Sequence, residues 1–135
     1  MKRLSALIAA VSVAAVTFAG SLSAQSSPGD LPRVRDGIVY VGMAYEISEK
    51  CSSLSPRILR GIGFLEDLKA YAISQGFTDA QIDEYVDNKD EQRRLEGLAR
   101  GLLADLGVVE GDESTYCAVG RAQMDQNTRV GWLLR

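Results

Sequence analysis

Two cysteines constrain this chain more than any other feature. Cys51 closes the stretch YEISEKC and Cys117 sits in TYCAVGR, 66 positions on, in 135 residues that contain no histidine. A zinc site wants four ligands, usually Cys or His at short spacing, and the chain has neither a histidine nor a C-x-x-C pair. A thioredoxin-like redox centre keeps its cysteines two residues apart so that one can resolve the other. Neither pattern fits so wide a separation. The remaining reading is a covalent staple, which an oxidising compartment makes and keeps. Closing a loop of this length contributes about 3 to 5 kcal/mol by restricting the unfolded chain.

The opening residues point to such a compartment. MKR supplies a short basic start and LSALIAAVSVAAVTFAG an uncharged apolar run, the profile of a signal peptide over residues 1–24. SLSAQ then offers small residues for cleavage. The expected cut follows Ala24, with Ser23 as the alternative because Leu22 is large for the position two before Ala24. The competing reading is a membrane anchor, but the run is on the short side of the ~20 residues a spanning helix needs, and no cysteine follows it to accept a lipid. The mature chain is expected to be periplasmic or secreted, with no membrane association after cleavage.

Loss of Lys2 and Arg3 takes the 15 basic residues to 13 against 18 acidic ones, a formal charge of −5. An acidic surface does not attract phosphate backbones, and Arg93, Arg94 and Arg100 are interleaved with Asp90, Glu91 and Glu96, so nucleic acid is excluded as a partner. The roughly 111 residues from 25 to 135 make one domain, with 25–30 as a flexible lead-in.

Apolar spacing along that domain is helical almost throughout. Val34, Ile38, Val41, Tyr45 and Ser48 form one stripe of a first helix over 31–50, opened by Pro32. Ser55 and Pro56 signal a second start, and Ile58, Leu59, Ile62, Leu65, Leu68 and Ala72 give the helix to Ser74 a broad apolar face. Gly76 can close it in the left-handed conformation. In GFTDAQIDEYV, Thr78 and Gln81 make a capping box and Phe77 can staple onto Ile82, so a third helix starts at Asp79. Asn88 and Glu91 repeat the cap spacing, which predicts a break near 87–89 and a fourth helix from Lys89 to about Leu106, ended by Gly107. A fifth helix over 114–126 carries Cys117. Thr128 caps a last turn with Val130, Leu133 and Leu134. The fold class is all-α, a compact bundle of four to five helices with one disulfide.

Several stretches resemble a known family: GMAYEISEKCSSLSPRILRGIGFLEDL, GFTDAQIDEYVDNKDEQRRL, and GDESTYCAVGRAQM through VGWLLR. Over residues 34–135 the chain is similar to a family of small exported alphaproteobacterial proteins known as a domain of unknown function, number 5333. Its most specific pieces are the contexts of Cys51 and Cys117 and the closing GWLLR. The resemblance implies a secreted single-domain protein with a paired disulfide, and no activity.

Without histidine there is no usual general base and no Ser-His or Cys-His nucleophile. Asp83 and Asp87, at i, i+4 spacing, are the one carboxylate pair a hydrolase could use, although such pairs commonly form a solvated helix face. DEYVDNKDEQRRLE lacks the alternating ligands and central glycine of a calcium loop. No metal or cofactor is expected.

Three features suggest binding. If the disulfide ties the end of the first helix to the start of the fifth, Arg57, Arg121 and Glu46, with Arg60 nearby, gather into a polar corner for an anion or an acidic peptide end; the plainer reading is an Arg–Glu brace over helix ends. Tyr40, Tyr45, Tyr71, Tyr85 and Tyr116 could line a groove or sit at the core edge with wet hydroxyls. Trp132 could anchor a partner or fold back with its neighbours to close the core. The expected role is a non-catalytic interaction or envelope accessory module with a protein or peptide partner; the alternative is a small-molecule or peptide binder. The oligomeric state is not legible.

Overall fold

The all-α expectation holds over residues 26–135, which a computed structural model describes; the expected leader and its cleavage site lie outside the described residues. Five helices and one closing turn follow in order: α1 (Pro32–Lys50), α2 (Ile58–Ser74), α3 (Asp79–Asp87), α4 (Lys89–Asp105), α5 (Glu113–Asp125) and the single-turn α6 (Arg129–Trp132). No strand occurs among the described residues, only an isolated antiparallel bridge between Pro56 and Leu134.

Local chemistry explains most boundaries. Thr78 accepts the Gln81 N–H at 3.2 Å while the Gln81 side chain accepts the Thr78 N–H at 2.9 Å, so two otherwise orphaned donors are satisfied reciprocally at the start of α3. Gly76 (φ 98°) and Gly107 (φ 107°) end α2 and α4 in the left-handed region, which a Cβ would disfavour. Asn88 accepts the N–H groups of Asp90 and Glu91, both at 3.0 Å, and breaks α3 from α4. The expected reciprocal bond from Glu91 is not made. Its carboxylate turns instead to Arg94, at 2.6 and 2.8 Å, and to the Tyr85 hydroxyl at 3.1 Å, an ion pair being the stronger competitor for that group.

Two expectations about the elements need correcting. Ser55 and Pro56 do not start α2. Ser55 exchanges both backbone bonds with Arg135, at 2.8 and 2.9 Å, and the Arg57 N–H bonds the Leu133 carbonyl at 2.8 Å, so this stretch is extended and the helix begins at Ile58. Nor is all of 25–30 a loose lead-in. Ser27 and Asp30 form a capping box around a 3-10 turn at Pro28–Asp30, with Pro28 and Gly29 buried.

α1 is the axis of the domain and packs against α2, α4, α5, α6 and the 3-10 turn. Val39, Met43, Ala44 and Ile47 on α1 meet Leu95, Ala99 and Leu103 from α4 and Val119 from α5 in one core cluster. Cys51, at the end of α1, is bonded to Cys117 near the start of α5, with Cα atoms 5.1 Å apart. Beside the bond, the Ser52 N–H and hydroxyl both donate to Glu113, at 2.8 and 2.6 Å. Gly120 lets α5 approach α1, since a Cβ there would stand 2.8 Å from Ile47 Cγ2 and clash with Leu54. Past α6 the chain plugs the same end: Leu133 and Leu134 are buried, at 3% and 1% exposure.

Candidate functional site

α2 is the most apolar of the helices, yet only Leu68 and Ala72 in it are buried. It meets α1 through its second half, where Gly37 gives way to Leu68: a Cβ at Gly37 would lie 2.6 Å from Leu68 Cδ1. The first half stands clear of the core. Ile58, Leu59, Ile62 and Leu65 are 61%, 85%, 53% and 41% exposed, so most of the expected broad apolar face is open to solvent. Turning by about 100° per residue, the helix sets Ile58, Ile62 and Leu65 in one row, with Leu59 on its shoulder.

Leu65, at the end of that row, lines a groove of about 550 Å³ bounded by α2, α3 and α4 and floored by α1. Ile38, Val41 and Tyr45 line the floor and Leu65 and Leu68 one wall. Of the expected α1 stripe, Val34, Ile38, Val41 and Tyr45 line this groove, Val34 from the core and Tyr45 59% exposed. The buried residues of α1 are Val34, Gly37, Val39, Met43, Ala44 and Ile47. Glu66, Lys69, Asp83 and Glu96 bring charge to the lining, and Lys69 is paired with Asp79 at 2.9 Å.

On the other flank of α2 lies a cluster built on Trp132. The Arg60 guanidinium stands 5.1 Å from the centre of the indole and that of Arg129 4.9 Å from it. Arg129 is also 5.0 Å from the Phe64 ring, which meets Trp132 edge-on at 6.3 Å. Trp132 is 38% exposed, because the α6 turn buries Val130, Gly131 and Leu133 and leaves the indole at the surface. Arg60 also donates to the Trp132 carbonyl at 3.2 Å.

The expected polar corner does not assemble. Arg57 is spent on the Leu134 carbonyl at 2.8 Å, and Arg121 donates to Ser53 Oγ at 3.2 Å over the rim of the disulfide. Glu46 faces α4 and takes a two-pronged bond from Arg100, at 2.9 and 3.0 Å. The plainer brace is also different from its expected form: Arg57 and Arg60 hold backbone carbonyls of the last residues, not a glutamate. Sequence reading set Arg100 among the interleaved acids of its own helix and missed this cross-helix bond, since nothing in the spacing of Glu46 announces which helix it will face. Of the tyrosines, Tyr85 and Tyr116 are buried, Tyr40 and Tyr45 exposed, and Tyr71 lies under the Arg33 guanidinium at 4.5 Å. They do not converge on one groove.

Among the described residues no group of three or more His, Cys, Asp or Glu is placed to hold a metal ion. The most displaced proton affinity belongs to Tyr85, pushed up to about 12 by burial and by Glu91. Glu91 is held below the usual carboxylate range by Arg94. Both belong to the joint between α3 and α4, where they brace the structure.

A family model described as a family of unknown function, DUF5333, matches residues 29–135. No curated protein and no solved structure matches the chain.

Proposed function

The chain belongs to the DUF5333 family, and from that premise we propose that it is an exported, periplasmic, non-catalytic interaction module whose docking face is the open side of α2. The observation that carries this reading is the exposure of Ile58, Leu59 and Ile62 on one helix. An amphipathic helix normally turns its apolar side to the core, and contiguous exposed apolar surface marks places where something else docks. Export is supported by the leader pattern at residues 1–24 and by the Cys51–Cys117 bond, which lasts in an oxidising compartment. A non-catalytic role is supported by the absence of histidine from the sequence and by the engagement of both thiols in the disulfide.

A photo-crosslinking amino acid placed at Leu59 in cells tests the docking face. Adducts with an envelope component are expected from that position and not from Ala80, which is also exposed but lies on α3. Equal yields from both positions, or none from Leu59, would refute it.

A second reading has its own observation. The groove between α2 and α4 falls within the roughly 300 to 1,000 Å³ of small-molecule sites, and its floor of Ile38, Val41 and Tyr45 suits an apolar ligand or peptide side chains. Substituting Val41 by Glu would abolish such binding while sparing crosslinks at Leu59.

A further inference from the structure

The α2 ridge and the Trp132 cluster lie on the two flanks of α2 and come closest at Leu59. Leu59 and Arg60 are consecutive, so about 100° of helix rotation separates them, and Gly63, on the arc between them, has open space where a side chain would stand. Resting on the reading of this ridge as a docking face, we propose that its occupant is an anionic phospholipid bilayer. Ile58, Leu59 and Ile62 enter the acyl boundary, and Arg60, Arg129 and Trp132 lie at headgroup level.

Three observations support that occupant over a protein. Leu59, 85% exposed, projects furthest of the apolar side chains on the ridge. A fluid bilayer accepts such a shape without a matching pocket, whereas a protein partner must supply one. The polar border has the composition of a membrane interface, where an indole sits between apolar and wet layers and arginine stems lie along apolar surface with their heads in water. Charge is the third. Among the described residues neither Arg60 nor Arg129 forms an ion pair, in a chain with 18 acidic and 15 basic residues. A cationic island on an acidic protein beside an apolar ridge orients that one face towards negative headgroups. Glu66 and Asp67 follow within the next turn and bound the patch.

This surface seats on a membrane without crossing it. No helix among the described residues is long and apolar enough to span, and the sequence expectation of a chain free of membrane considered spanning and lipidation alone. A ridge that forms only when α2 turns its first half outward was outside that reasoning.

Trp132, the single tryptophan, makes the proposal measurable whatever residues 1–25 do. The full chain is titrated with vesicles of equal parts phosphatidylglycerol and phosphatidylethanolamine, and in parallel with phosphatidylcholine vesicles, following Trp132 emission and its quenching by bromine-labelled lipid. A blue shift and quenching are expected with the anionic vesicles only. Leu59→Glu should abolish both. Arg129→Gln should weaken binding about 5-fold, the worth of one cation near an anionic surface, and raised salt should weaken it further. Circular dichroism on each variant verifies that the helices are intact, as expected for exposed positions.

Absence of a response to anionic vesicles would overturn the proposal. So would a response that survives Leu59→Glu, a polyglutamate peptide that reproduces the emission shift without lipid, or a dimer that Leu59→Glu dissociates. Crosslinks from Leu59 to a protein without any vesicle response would sink the bilayer and leave the docking face standing. Failure of both experiments would remove both.

Discussion

Helices α1 and α2 are nearly equal in length, 19 and 17 residues, and use their apolar side chains in opposite ways. α1 buries six residues distributed around its circumference, because α2, α4, α5 and α6 all lean on it. α2 has the greater apolar content and buries two. Its position explains the difference: α1 is the axis, whereas α2 meets α1 through its second half and is tied at its start only to the last residues, through Arg57, Arg60 and Phe64. Apolar spacing therefore dictates that a segment is a helix and which side is oily. Whether that side is buried depends on neighbours that arrive from elsewhere in the sequence.

The comparison breaks most violently at the packed end. Truncation after Val130 removes Leu133 and Leu134, each worth about 2 to 5 kcal/mol when fully buried, together with the bridge to Ser55 and Arg57. Most of a stability of about 5 to 15 kcal/mol would disappear, and thermal denaturation should show no cooperative transition above room temperature. A transition displaced by only a few degrees would mean that the packed end is not what holds α1 in place.

Much of this was legible beforehand, and the reasons are physical. Thr78 and Gln81 announce α3 because a capping box is closed within four residues, and Gly76 and Gly107 mark helix ends through backbone geometry alone. Cys51 and Cys117 were readable by elimination. Ser55 and Pro56 misled because the competing interaction, a backbone exchange with Arg135, comes from about 80 positions away. The same holds for the site. Arg60 and Trp132 were identifiable as unusual residues, but their stacking with Phe64 and Arg129 depends on how α6 docks beside α2, and the polar corner failed because Glu46 faces α4. The exposed ridge was invisible for the same reason: Ile58, Leu59 and Ile62 read identically whether a neighbour covers them or not.

A milder way to sharpen the contrast uses pH, because the groups of displaced proton affinity lie away from the exposed half of α2. Glu91, Asp112 and Glu113 are held below their ordinary values, by Arg94, Ser114 and Ser52 respectively. A lowered carboxylate contributes stability that is present above its unfolded value and lost as pH falls through the folded one. Tyr85, raised to about 12 by burial, has the opposite sign: its contribution is complete below the ordinary value of about 10 and is lost between about 10 and 12. With no histidine to titrate, the melting temperature should be flat from roughly pH 5 to 9 and fall on either side, and Tyr85→Phe should flatten the alkaline arm. A step near neutrality would contradict this assignment.

The smallest expected effect is the most direct test of the claim that the α2 ridge is surplus to folding. Ile58, Leu59 and Ile62 are changed together to Gln, which keeps helix propensity high, and the stability of the chain is measured by urea unfolding. If the ridge is free surface, each change is worth within about 0.5 kcal/mol, and the midpoint should hardly move while the slope stays constant. A loss of about 2 to 5 kcal/mol per residue, the cost of emptying a buried site, would show that the ridge is core in solution and would contradict the account.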